Sequence, residues 1–270
     1  MHIAMLNLFP TWMLIGFLMI AFSLSATFFF ITIRRYYPKL LSETMSPAFG
    51  VMGTSYGFLL GFTIAILWQN YTASSNVTAA EAANFNLIIN DLQLLAPEAQ
   101  LKLIAGIKSY INIIRDVEWS AMKRGESASN AWAALNSLYG ILGTITPVGV
   151  LENIAYADIF DELSDVIRNR SIRIHHIDTI LPAGIRTLLI LGAIFIIYSV
   201  AVNDTKNKLN HYVAMLMVCF ILSFNIGLAF ILAFPFSSDM GVDGNILIKV
   251  IPNRLNNLEN KLKGLSVTPL

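Results

Sequence analysis

The chain has 270 residues, of which 56% are hydrophobic and only 13% charged, with a formal net charge of +1 and a mean hydropathy of +0.63. That balance is too apolar for an ordinary soluble domain and predicts an integral membrane protein, while the near-neutral charge, with no long basic run, excludes a polybasic nucleic-acid binder. The one cysteine, Cys219, sits in an apolar stretch, which excludes a disulfide framework and a thiolate metal site.

The N-terminal stretch MHIAMLNLFPTWMLIGFLMIAFSLS lacks the basic flank of a secretory leader, and its apolar run ends at Arg34-Arg35. It is read as a retained first span, Thr11 to Ile33. A short basic and aromatic loop follows, with Tyr36 and Tyr37 placed for an aromatic belt and Pro38 ending regular helix. Ser46 as N-cap and Pro47 at the first helical position start a second span, which runs to about Tyr71.

Four glycines of this span, Gly50, Gly53, Gly57 and Gly61, recur at intervals of three, four and four, which leaves a seam without side chains along one face. Such a seam lets a second helix approach closely, or it lines a pore. Beyond Trp68, Gln69, Asn70 and Tyr71 neither glycine nor proline interrupts the chain until Pro97, so the same helix is expected to continue into water. At about 49 residues it is on the order of 70 Å long, more than twice the hydrocarbon thickness. Glu81 is the first charged residue past the span and is within reach of Asn84. It is read as an ion-attracting group, as a hydrogen-bond partner between helices, or as a solvated carboxylate.

Further helices are expected over Pro97 to Lys123, Ala128 to Leu142 and Leu151 to His176, the last two separated by the breaker GTITPVG. Residues 72–181 thus form an all-helical soluble domain between residues 1–71, which hold spans one and two, and residues 182–234, which hold spans three and four. The third span is Pro182 to Val202, with Arg186 one turn in, and the fourth is Tyr212 to Phe234. Asn225, near the middle of the fourth, is expected to pin a neighbouring helix through a hydrogen bond. Residues 235–270 form a soluble tail in which Asn245 to Ile251 reads as strand or helix and the remainder as a polar helix. Four spans put both termini and the helical domain on one side of the membrane.

Arg168, Arg170, Arg173 and Arg186, with His175 and His176, make the densest positive region. In a symmetric oligomer a ring of such residues would concentrate anions, and the plainer reading is contact with lipid headgroups and ion pairs to Asp161, Glu162, Asp165 or Asp178. No metal site is expected. The histidines lack a metal-binding spacing, and Asp239 and Asp243 read as a turn without EF-hand spacing. No Asp, Glu, Lys or Arg lies at mid-span, which argues against proton-coupled transport, and no nucleophile, phosphate-loop or kinase motif occurs. The expectation is a protein that is not an enzyme, with no catalytic residue and no cofactor.

Several stretches carry a family likeness over about Leu14 to Ile251: GFTIAILWQNY, then VTAAEAANFNLI with Glu81, Ala82 and Asn84, APEAQ at Ala96 to Gln100, YINIIRDVEWSAM at Tyr110 to Met122, the arginine-rich helix before Pro182, and ILAFPFSSDMGVDGNILI. The chain resembles the bacterial membrane proteins with a bestrophin-like domain, and more distantly the bestrophins. The resemblance implies a pentameric chloride channel with four spans, cytosolic termini and a helical cytosolic part through which the pore continues. It also implies a constriction of aromatic residues on the second span, where this chain offers Phe58, Phe62 and Trp68 without repeating the family's neck. Of the acidic calcium clasp only Asp239 and Asp243 stand in place.

The reading is therefore an all-α, bestrophin-like protein of the bacterial inner membrane, surrounded by lipid and assembled as a homo-oligomer. It is expected to pass inorganic ions, chloride among them, along an axis lined by the second span and its extension through Glu81 and Asn84. The competing reading is a non-conducting structural or signalling protein whose helical domain docks a partner and whose glycines only pack helices.

Overall fold

The computed structural model describes residues 10–36, 46–178, 181–203 and 207–266. Among these the regular structure is helical throughout, without a strand. In chain order the helices are α1 (Thr11–Tyr36), α2 (Ser46–Asp91), α3 (Pro97–Ile113), α4 (Trp119–Lys123), α5 (Ser129–Gly143), α6 (Val150–His175), α7 (Ala183–Val202), α8 (Lys208–Leu232) and α9 (Ile251–Ser266). Four of them, α1, α2, α7 and α8, are long and apolar enough to cross a membrane. Tyr37 and Pro38, named above for the first loop, lie outside the described residues, as do the side chains of Ser46 and Pro47.

Local chemistry sets the helix ends. The long α2 closes in a tight 3-10 turn at Leu92–Leu94, because Pro97 forces Ala96 into an extended conformation and itself opens α3. Asn207 caps α8, its Oδ1 accepting from the backbone of Leu209 at 3.1 Å and Asn210 at 3.2 Å. Between α3 and α4 the helix widens into a π-turn at Ile114–Glu118, and a second π-turn at Ile246–Val250 leads into α9. The segment read as strand or helix at Asn245 to Ile251 is thus helical. At Gly125, φ of +80° lets the chain reverse after α4, where a side chain would be strained.

The described residues fall into two compact units, one within Met1–Tyr71 and Thr179–Gly241, the other within Thr72–Asp178 and Val242–Leu270. In the first, α1, the start of α2, α7 and α8 bury Phe22, Leu60, Ile197, Met215 and Cys219. Tyr56 lies against Gly192 and donates its hydroxyl to the Leu189 carbonyl at 2.6 Å. A Cβ on Gly192 would come within 2.6 Å of Tyr56 Cδ2, in a ring already tied down by that bond. Gly192→Ala is therefore expected to cost about 1–3 kcal/mol through overpacking, read as a lowered unfolding midpoint of the purified protein. Asn225 Nδ2 donates to the Ile221 carbonyl of its own helix at 2.8 Å, and among the described residues it makes no hydrogen bond to a second helix.

In the second unit the apolar faces of α2 (Phe85, Ile88, Leu92), α3 (Leu103, Ile107), α5 (Leu135, Leu138) and α6 (Ile159, Leu163) share one core. The expected 235–270 tail does not stand alone, because the chain divides between Gly241 and Val242. Leu247, Ile251, Leu255 and Leu258 recur at helical spacing, and this stripe is buried in the second unit's core. Lys108 of α3 pairs with Glu259 of α9, and Arg254 donates to Asn86 at 2.5 Å and Asn90 at 2.9 Å. Hydrogen bonds from Lys108 and Lys263 hold the Glu259 carboxyl down at about 2. Ile154, in the first turn and a half of α6, is exposed.

Candidate functional site

Two constellations stand out, one in each unit. The first is the outward face of α2. Tyr56, Leu60, Thr63 and Leu67 turn toward the first unit's interior. A Cβ built on Gly50, Gly53, Gly57 or Gly61 would meet nothing within 4 Å. Next to this seam Phe58 is 78% and Phe62 59% exposed, their rings nearly parallel with centroids 6.5 Å apart. Trp68, also exposed, stacks on Tyr71 at 5.8 Å, and the Tyr71 hydroxyl donates to the Met240 carbonyl at 3.2 Å. Among the described residues none fills the seam.

The second constellation is a buried ion network. Arg170 and Arg173 on α6 and Glu81 on α2 each lie on the buried side of their helix, and the π-turn after α3 directs Glu118 inward. All four side chains are 0% exposed. Arg173 Nε donates to Glu81 Oε2 at 2.7 Å, and its Nη2 donates to Glu81 Oε1 at 3.2 Å and Glu118 Oε1 at 2.8 Å. Arg170 Nη2 pairs with Glu118 Oε2 and donates to the Ala128 carbonyl at 3.3 Å. Tyr110 donates its hydroxyl to Glu81 at 2.8 Å, and burial together with the Glu81 charge pushes that phenol well above its ordinary range, so the donor keeps its proton. Burial works against the Arg173 charge, yet Glu81 and Glu118 outweigh it and raise its affinity for the proton. Trp132 lies 4.6 Å from Arg170 and Trp119 5.7 Å from Arg173, each presenting a ring to a guanidinium.

This arrangement changes what the arginine cluster offers. Arg170 and Arg173 face carboxylates inside the unit and present no free charge, because two buried cations are stable only when matched and hydrogen-bonded. Arg168 is exposed and paired to Asp165 at 3.1 Å, and Arg186 lies one turn into α7, part-exposed. Glu81 is not a solvated carboxylate but a partner between helices. Asn84 is part-buried with its Nδ2 lacking a partner, and no hydrogen bond joins it to Glu81 among those resolved. Glu118 and Tyr110 were not singled out from the sequence, although both fall in the YINIIRDVEWSAM stretch.

The remaining candidates are accounted for locally. His176 Nδ1 lies 3.0 Å from Ser74 Oγ. Asp239 takes the backbone N–H of Thr11 at 3.2 Å and also its hydroxyl, capping α1 from a distant segment, and the Thr11 hydroxyl holds the Asp239 carboxyl below its ordinary range. Asp243 Oδ1 accepts from Asn245 N at 2.9 Å, a local turn. Among the described residues no three His, Cys, Asp or Glu side chains converge as a metal site.

The Bestrophin-like domain family matches residues 15–246. Among solved structures, a bacterial bestrophin homologue from Klebsiella pneumoniae is similar at a TM-score of 0.73 with 13% identity, covering 91% of this chain and 98% of that one. A substituted form of the Klebsiella homologue gives a TM-score of 0.73 and 13% identity over 91% and 99% of the two chains. A structure described as a membrane protein gives 0.72 and 13% over 91% and 98%. At such identities the likeness concerns the fold. No curated protein matches.

Proposed function

Because this chain belongs to the Bestrophin-like family, we propose that it is a homo-oligomeric membrane channel through which small ions, anions in preference, pass without coupling to any reaction. The path is lined by the face of α2 that carries Gly50, Gly53, Gly57, Phe58, Gly61, Phe62 and Trp68. The observation that carries this reading is the bareness of that face: four glycines with open space beside them and two stacked, exposed phenylalanines on a helix whose opposite side is packed. Aromatic faces of this kind narrow a path and remove water from an ion without binding it tightly, and glycines beside them widen it.

The charge of the first unit supports the preference for anions. Over residues 1–71 and 179–241 the sequence holds Arg34, Arg35, Lys39, Arg186, Lys206 and Lys208 against Glu43, Asp204 and Asp239, the last of which is engaged by Thr11. The summed field raises the local concentration of anions. Arg170 and Arg173 add little to it, since Glu81 and Glu118 balance their charges.

The test is ion flux. Purified full-length protein in liposomes is expected to release trapped chloride down its gradient well above protein-free liposomes, and faster than it passes sodium. Flux no greater than that of empty vesicles would overturn the channel reading, and faster passage of sodium would overturn the anion preference. A non-conducting docking role is favoured by one feature, the exposed Val148, Val150, Leu151 and Ile154 around the start of α6, and it becomes the reading if no flux is seen.

A further inference from the structure

The first unit carries its positive charge unevenly. The C-terminal end of α1 bears Arg34 and Arg35, and the N-terminal end of α8 bears Lys208. The two helices run antiparallel beside each other, as the paired rings of Phe30 and His211 at 5.5 Å and the Thr27–Tyr212 hydroxyl contact at 3.0 Å show. Arg34 lies one turn past Phe30 and Lys208 one turn before Tyr212, so the three cations gather at one end of one helix pair. Arg34 is held over the Phe30 ring, its Cζ 4.5 Å from the centroid, with Nε and Nη2 shielded from solvent. Arg35 and Lys208 are exposed. The only described acidic residue of the unit, Asp239, is bound at the opposite end of α1, about 37 Å away along a helix of this length.

Charge alone would suit any anion, but the surface continuing from it is apolar. Leu24, Phe28, Ile31 and Arg35 follow one another at intervals of four, three and four, which places them on one side of α1. All three apolar members are exposed, Phe28 most of all. A greasy stripe a few turns long therefore ends directly in a guanidinium, with a second and third cation beside it. That is the complement of one kind of molecule, a phospholipid whose headgroup is anionic and whose chains lie along the helix.

We propose that this end of the α1–α8 pair is a binding site for an anionic phospholipid, with Arg35 and Lys208 around the phosphate diester and Leu24, Phe28 and Ile31 against an acyl chain. The site lies on α1 and α8 and not on the bare face of α2. Lipid phosphate and free phosphate ester share the same headgroup chemistry, and the apolar stripe favours the lipid.

Native mass spectrometry of the full-length protein, freed of co-purified lipid and offered equal amounts of phosphatidylglycerol and phosphatidylcholine, tests this. Phosphatidylglycerol is expected to be retained preferentially, and removal of either exposed cation, Arg35→Gln or Lys208→Gln, is expected to weaken that preference about fivefold, as one cation at a lipid surface contributes. Arg35→Lys should keep most of it. Because both side chains are exposed, these variants leave the fold alone. Equal retention of the two lipids would overturn the proposal, as it would if a second copy covered the stripe. An undiminished preference in both glutamine variants would overturn the assigned residues, and displacement of the lipid by millimolar glycerol phosphate would reassign the site to free phosphate esters.

Discussion

Arg173→Met is expected to lower the stability of the second unit by about 3–5 kcal/mol, the range for removing one partner from a fully buried ion pair. The guanidinium joins two carboxylates, Glu81 and Glu118, through three hydrogen bonds between 2.7 and 3.2 Å. Without it Glu81 keeps only the Tyr110 hydroxyl at 2.8 Å, and Glu118 only Arg170. Methionine has the length to fill the space, so the loss is electrostatic and not a cavity. Trp119 and Trp132, which face the two guanidiniums, make tryptophan fluorescence a direct report on this region. The midpoint of thermal unfolding should fall by about 10 °C. Arg173→Lys should recover little, because an ammonium cannot address Glu81 through two fork-like donors. The decisive variant is the double one, Glu81→Gln with Arg173→Met. It removes one charge of each sign and leaves Glu118 paired with Arg170, so it should be more stable than the single change by about 1–3 kcal/mol. A single variant within 1 kcal/mol of the parent, or a double variant no better than the single, would mean that the network does not hold the helices as its geometry indicates.

Much of this network was legible in the register of the helices. On α6, Ile159, Leu163, Val166, Arg170 and Arg173 follow at steps of four, three, four and three, so the arginines continue an apolar stripe and do not sit on the polar face. On α2, Thr78, Glu81, Phe85 and Ile88 do the same with a carboxylate. A cation and an anion that each fall on a core stripe have to meet a partner, a signal that the expected pairing of the arginines with Asp161, Glu162, Asp165 or Asp178 passed over. Glu118 was harder to place. The π-turn at Ile114–Glu118 changes the angular step just where the residue lies, and no propensity signals it. The spans and the continuous α2 were legible because length and hydropathy decide them. The division of residues 235–270 was not, because α9 is polar on average and its short apolar stripe becomes a core element only when the surface of α3 is there to receive it.

The face of α2 gives the last and functionally largest expectation. Gly57→Leu should leave the protomer's fold unchanged, since a Cβ at that position has no atom within 4 Å, in contrast to Gly192, where Tyr56 closes the space. Any consequence must then come from what lies beyond the described residues of the protomer. If the seam lines the axis, the leucines repeated around the oligomer narrow the path, and chloride flux should fall by about tenfold or more while the oligomer elutes unchanged. Phe62→Ala should act in the opposite direction, because it removes an exposed ring that stacks only on Phe58 and so widens the path without opening a cavity in the core. If the seam instead receives a neighbouring helix, Gly57→Leu separates the copies, and flux is lost together with the oligomer. The pair of variants distinguishes these cases: reduced flux in one and raised flux in the other, both as intact oligomers, assigns the face to the path. Unchanged flux in both would place that face against lipid and remove α2 from the pore.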